Sequence, residues 1–271
     1  LQLAGVEPGD EVLIPSLTFV ATANAVTYCG AMPHFVDIEE RTLGLDSSAL
    51  RDYLQSTSKV CNGHCINNTS GGVIRAVVPM HTLGHPVDMD GLMSIARENK
   101  LKVVEDCAQA AGAQWEGSSV GSFGDVGCFS FFPTKNLGAA GDGGAVTTKD
   151  GALAQRMREL AVHGMPRRYV HTELGYNSRL DAIQAAVLNV KLPRLTSWIK
   201  KRQLIADRYH QLLKGIERLV LPSKSNSSRI IHSWNQFVVR VKNQSGKEFF
   251  PENKQVSLLN KEKAIDSNFN L

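Results

Sequence analysis

Several classes of protein are excluded by what this 271-residue chain has little of. Cysteine is scarce: five residues, an odd number, scattered at 29, 61, 65, 107 and 128, which rules out a disulfide framework and suits reduced thiols. No apolar run approaches the ~20 residues that a membrane helix needs, and Leu1-Gln-Leu-Ala-Gly5 opens as helix rather than as a basic leader. The expectation is a cytoplasmic protein with no membrane partner, in which Asn-x-Ser/Thr matches such as Asn67 to Thr69 stay unglycosylated. Metal-ligand spacing is also thin. Cys61 and Cys65 flank His64, but no second ligand pair follows at finger spacing, so this stretch reads as an insertion loop and no metal site is expected. No internal repeat is present.

Charge is unevenly divided. Residues 1–150 hold 9 basic against 17 acidic side chains, and residues 151–271 hold 21 against 9. Such asymmetry can mark a nucleic-acid surface. Here the basic residues are spread along helical stretches such as Lys200-Lys-Arg202, few aromatics interleave with them, and no nucleic-acid-reading motif is present. The expectation is no nucleic-acid partner. An anionic small-molecule substrate, or a dimer that sets basic against acidic parts, fits the asymmetry instead.

What the chain does have is alternation. Runs at 11–14, 32–36, 73–78, 101–105, 125–132 and 145–148 read as strands, with helices at 21–28 and 89–99 between them. Residues 151–163 and 178–216 read as helical, the latter interrupted at Pro193. Ser178 with Asp181 three residues on has capping-box spacing. A single strand-like run, Trp234 to Val241, follows Pro222. The fold class expected is α/β: a three-layer sandwich with a mostly parallel sheet, plus an incomplete small C-terminal α+β domain. The domain reading is 1–192 as the major domain, 193–242 as a long helix and the start of the small domain, and 243–271 as a divergent, partly disordered tail.

Ser130-Phe-Phe-Pro-Thr-Lys135-Asn-Leu-Gly138 carries the most chemistry. The aromatic run reads as a buried strand that Pro133 ends by removing a backbone donor. Lys135 follows at once, ahead of Gly138, Gly141, Gly143 and Gly144. The lysine precedes the glycines, so this is not a P-loop. A lone loop lysine is ordinarily a solvated cation; one beside a low-dielectric interior has its neutral, nucleophilic form favoured. In Leu101-Lys-Val-Val-Glu-Asp106, the Val103-Val104 core reads as a parallel strand that delivers Asp106 to the sheet edge where α/β proteins bind ligands. Taken alone, Asp106 reads equally as a helix cap. A strand-end lysine and a strand-end carboxylate in one sheet together suit pyridoxal 5'-phosphate, with the lysine as Schiff-base amine and the carboxylate holding the pyridine nitrogen protonated.

Five segments in order then resemble the DegT/DnrJ/StrS sugar aminotransferases, fold-type I pyridoxal-phosphate enzymes, over roughly residues 1–242. They are Pro15 to Ala25, Pro86 to Asp90, Glu105 to Ala110, Ser130 to Gly144, and Gly175 to Ala186. The resemblance implies that Lys135 forms the internal aldimine and shuttles the proton; some relatives carry histidine at this position and act as dehydratases, which Lys135 argues against here. It implies that Asp106 pairs with the pyridine nitrogen, Gln109 lies near the phenolic oxygen, Ser130 donates to the phosphate and Phe19 stacks on the ring. Without the family, Phe19 reads as a core residue and Ser130 as a turn cap. The matching asparagine, Asn177, would reach the phosphate of a neighbouring subunit in a homodimer; its plain alternative is a turn residue. The substrates implied are a nucleotide-linked keto sugar and an amino donor, glutamate.

Both ends depart from the family pattern. No Gly-Thr phosphate segment precedes Leu1, and residues 243–271 are rich in Asn, Lys, Gln and Ser. The expectation is a chain truncated at both ends, with a catalytically impaired fragment or a non-catalytic, regulatory protein of the same fold as the alternative.

Overall fold

The computed structural model describes residues 1–225 and 227–242 together with the backbone of 248–249. In chain order the elements are β1 (Glu11–Pro15), α1 (Val20–Tyr28), β2 (Met32–Val36), α2 (Ser47–Thr57), β3 (Ser58–Cys61), β4 (His64–Asn67), β5 (Val73–Val77), α3 (Met89–Glu98), β6 (Lys102–Asp106), β7 (Gln114–Trp115), β8 (Ser118–Ser119), β9 (Val126–Ser130), β10 (Gly144–Thr147), α4 (Gly151–Leu160), α5 (Ala182–Lys191), α6 (Leu195–Leu213), β11 (Leu219–Val220), β12 (Arg240–Lys242) and β13 (Glu248–Phe249).

The main sheet runs β10-β9-β6-β5-β1-β2. All neighbours pair in parallel except β9 with β10, which are antiparallel. Strand periodicity divides the core into two layers. Leu13, Val77 and Val103 point to one face and pack with Leu50 and Leu54 of α2 and with Leu92 and Ile95 of α3. Their chain neighbours Val12, Ile14, Ala76, Val78 and Val104 point to the other and pack with Ala23 and Val26 of α1 and Met157 of α4. Each valine, leucine or isoleucine among them contributes about 1.5–3 kcal/mol when taken fully out of water. Helices therefore cover both faces, and the strands are apolar on both sides, as a parallel sheet requires. The expected α/β sandwich is present.

Three local readings are corrected. Residues 58–67 are not a loop: β3 and β4 form an antiparallel hairpin that extends the sheet by pairing β4 with β5. Asn62 and Gly63 both have positive φ, 51° and 80°, the backbone of a two-residue turn matched to strand twist. Helix α5 does not start at Ser178; its N-cap is Asp181, whose side chain accepts the Gln184 amide. The interruption expected at Pro193 is present: α5 ends at Lys191, and Pro193 falls in a 3₁₀ turn, Leu192–Arg194, that leads into α6, where a missing N–H is tolerated. Trp234 to Val241 is not one strand: residues 232–239 make no ladder, and only Arg240–Lys242 pairs, with β11 and β13. Apart from Glu248–Phe249, the 243–271 tail lies outside the described residues.

All five cysteines are free thiols. Among the described residues, no helix is long and apolar enough to cross a membrane.

Candidate functional site

The chain leaves β1 into α1 on one face and leaves β5 into α3 on the other, so the strand order reverses between β1 and β5. Open α/β sheets bind ligands in the crevice beyond such a point. Asp106 ends β6, next to β5. Its backbone still bonds to the neighbouring turn, accepting the His81 amide at 3.1 Å and donating to the Pro79 carbonyl at 2.8 Å. Its carboxylate is half-buried: Oδ2 accepts the Thr22 hydroxyl at 2.9 Å and Oδ1 the Ala108 amide at 3.0 Å.

Ser130 ends the next strand. Asp106 sits opposite Cys128 in the β6–β9 register, so Ser130, two residues further along, projects from the same face about 6.6 Å beyond. Its Oγ accepts the Phe132 amide at 3.3 Å, which leaves the hydroxyl proton free to donate. Lys135 stands in the turn that follows, its amide donating to the Phe132 carbonyl at 2.9 Å. Its ammonium nitrogen makes no hydrogen bond or ion pair among the described residues. Gly138 lies where any Cβ would strike the Pro133 carbonyl, so the turn needs glycine to fold back beneath the lysine.

Gln109 is fixed from behind. Its Oε1 accepts the Leu83 amide at 2.7 Å, which leaves its NH₂ group as the free end. Phe19 caps the start of α1 and is 64% exposed, so it is not a core residue. Asn177 does not join this cluster within the chain. It forms a bridge with Val162, and its Oδ1 accepts Arg179 Nε at 2.9 Å.

Three contributors were not legible in the sequence. The segment 231–235 straps the strand-end loops together. Asn136, beside Lys135, donates to the Ser233 carbonyl at 2.8 Å; the Ser233 amide donates to the Gly84 carbonyl at 2.9 Å and the Asn235 amide to the Leu83 carbonyl at 2.9 Å. Ile231 bridges Gln114, and Arg202 of α6 donates to the Trp234 carbonyl at 2.9 Å. The second contributor, Glu105, is completely buried. It accepts the amides of Gly121, Phe123 and Gly124 at 2.7–2.8 Å and lies 3.2 Å from His81 Nε2. His81 Nδ1 accepts the Val87 amide, so Nε2 carries the proton and donates to Glu105. Burial raises the Glu105 pKa, but the His81 hydrogen bond and the amides of Gly124 and Gly121 outweigh it, and the carboxyl sits below its ordinary value. The third, Thr22, has its partner 84 residues away.

Beside these, burial pushes the Cys107 thiol up and the Cys128 thiol up to about 11, with the nearby carboxylates adding to both; both stay protonated. His81, Glu105 and Cys107 place ligand-type atoms within 4.8 Å of one another. Glu105 is already saturated by four donors and Cys107 is held as a thiol, so the trio is a structural knot.

The residues present fit pyridoxal phosphate as a donor set. An unpartnered amine, a carboxylate with lone pairs to spare, a hydroxyl with a free proton and an uncovered aromatic ring stand at adjoining loops. The DegT/DnrJ/EryC1/StrS aminotransferase family model matches residues 1–267. A curated UDP-N-acetyl-3-dehydro-alpha-D-glucosamine 3-aminotransferase from Acidithiobacillus ferrooxidans is 42% identical over 241 residues, covering 89% of this chain and 60% of that protein. The crystal structure of a DegT DnrJ EryC1 StrS aminotransferase from Brucella abortus has a TM-score of 0.80 and 33% identity, over 91% of this chain and 63% of that one. The structure of NtdA from Bacillus subtilis with bound cofactor PMP has a TM-score of 0.76 and 30% identity, over 89% and 52%. The chain thus spans about 60% of the length of the curated relatives it matches.

Proposed function

Because this chain belongs to the DegT/DnrJ/EryC1/StrS aminotransferase family, we propose that it is the cofactor-binding core of a pyridoxal-phosphate-dependent aminotransferase acting on a nucleotide-linked keto sugar. The observation that carries the reading is the unpartnered Lys135 amine in the turn after β9, with the Asp106 carboxylate on the adjacent strand.

Pyridoxal phosphate, when bound, supplies a carbonyl that captures amines and a protonated ring that absorbs the electron pair left on carbon. Lys135 Nζ is the amine that would meet that carbonyl, and it would hold and return the proton of the reacting carbon. Asp106 would accept the pyridine N–H. Ser130 would donate its free proton to a phosphate oxygen. Phe19 would cover the ring face and exclude water. Gln109, locked by the Leu83 amide, would offer its NH₂ to the phenolic oxygen. Asn177 serves the partner subunit of a homodimer; its exposed apolar neighbours Leu174, Tyr176 and Ile183 support an interface there. We take glutamate as amino donor, residues 1–192 as the cofactor domain, and the cytoplasm as the compartment, where five free thiols persist.

The test is to add pyridoxal phosphate, reduce with borohydride and map the modified peptide. A visible band fixed on Lys135, and lost in Lys135→Ala, supports the reading. A protein that takes up no cofactor supports the non-catalytic alternative, and a label on another lysine removes Lys135 from its role.

A further inference from the structure

Asp106 is the end of a line of side chains rather than an isolated carboxylate. Thr22 is buried on α1 and gives its hydroxyl to Asp106 Oδ2 at 2.9 Å. Thr18 Oγ1 lies 2.6 Å from Thr22 Oγ1 and 3.0 Å from Met80 Sδ. The line therefore runs from Met80, just past β5, through the residues that open α1, to the end of β6. It crosses the reversal of strand order.

Proton counting gives the line a direction. An ionised carboxylate only accepts, and a threonine has one hydroxyl proton, so the Thr22 proton is committed to Asp106. The Thr22 oxygen is then an acceptor, and Thr18 donates to it in preference to the weakly accepting thioether. Each donation polarises the next. Thr22 is also tied to the N-cap Phe19, its amide donating to the Phe19 carbonyl at 3.0 Å, so the first turn of α1 carries both the exposed ring and the hydroxyl on the carboxylate.

We propose that Thr22 is a positioning residue for Asp106, with Thr18 backing it. The hydroxyl fixes Oδ2, and with Ala108 on Oδ1 it leaves the carboxylate one orientation. A carboxylate held in one orientation keeps a lone pair aimed where a ring N–H can donate to it. The inference rests on the reading of Asp106 as the partner of the pyridine nitrogen. A merely structural Thr22 would tie α1 to β6 by shape alone, and the near-isosteric Thr22→Val would serve as well.

The experiment compares Thr22→Val and Thr22→Ser with the unaltered protein in two states. In cofactor-free crystals, Asp106 is expected to leave its rotamer in Thr22→Val and keep it in Thr22→Ser. In protein loaded with ¹⁵N-labelled pyridoxal phosphate, the ring-nitrogen resonance is expected to move toward the unprotonated position in Thr22→Val. In that variant kcat should fall about tenfold with KM for the sugar unchanged, and Thr22→Ser should restore both readouts. Thr18→Val should give a smaller change of the same sign. An Asp106 that stays in place in Thr22→Val, or a ring nitrogen that does not respond, overturns the proposal. A protein that takes up no cofactor sinks the functional reading instead, and the cofactor-free crystals then decide the positioning role by themselves.

Discussion

Glu105 and Asp106 are consecutive residues of β6 with opposite surroundings. The Glu105 carboxylate is fully buried among three backbone amides and His81, whereas that of Asp106 faces α1 at the sheet edge and takes the Thr22 hydroxyl. The strand pleat alone separates them, assigning one acid to the architecture and the other to the crevice.

The buried acid makes stability pH-dependent. Its folded pKa is depressed, so its contribution is complete above the unfolded value and is lost as pH falls through the folded one. Glu105→Gln turns one oxygen into a donor that faces amide donors and should cost about 3 kcal/mol at neutral pH. Urea unfolding across pH should show that gap narrowing below about pH 4. A gap that is constant in acid would mean that the charge is not what holds residues 121–124.

Asn136→Ala leaves the buried Ser233 carbonyl without its donor, a loss of about 1–3 kcal/mol. Hydrogen exchange should then rise at Ser233 and Asn235, whose amides bond to Gly84 and Leu83. Unchanged protection at both amides would show that the strap does not depend on the Lys135 turn.

Phe19→Ala separates two roles by magnitude. A core phenylalanine would cost about 3–5 kcal/mol on truncation. At 64% exposure the expected stability change is under about 0.5 kcal/mol, while cofactor should dissociate several-fold faster. Calorimetry and stopped-flow absorbance read the two effects, and a large loss of stability would return Phe19 to the core.

The start of α5 is tested by its caps. Asp181→Ala removes the acceptor of the Gln184 amide and should lower stability by about 1 kcal/mol. Ser178→Ala should leave it unchanged within thermal-denaturation error. The reverse order would restore the helix start that the sequence spacing suggested.

The parallel strands were readable because each is a short apolar run ending in a turn former; the run at 32–36 coincides with β2. Asp106 was readable because a carboxylate closes such a run. The β3–β4 hairpin was missed although Asn62-Gly63 is a strong hairpin signal, because its flanking polar residues mask the alternation. The strap was invisible for a different reason: residues 231–235 have no period, and their partners lie 97 and 149 residues away. Thr22 likewise reads as an ordinary helix residue until Asp106 is brought to it.

That strap also fixes when the crevice can be completed during synthesis. Ser233 meets Gly84 across 149 residues, and at ribosomal speeds of about 5–20 residues per second the partner arrives roughly 7–30 s after the loop it must hold. The turn bearing Lys135 waits a shorter time, the 97 residues from Asn136 to Ser233, or roughly 5–19 s. A nascent chain stopped before Ile231 would have its sheet but not its fastening.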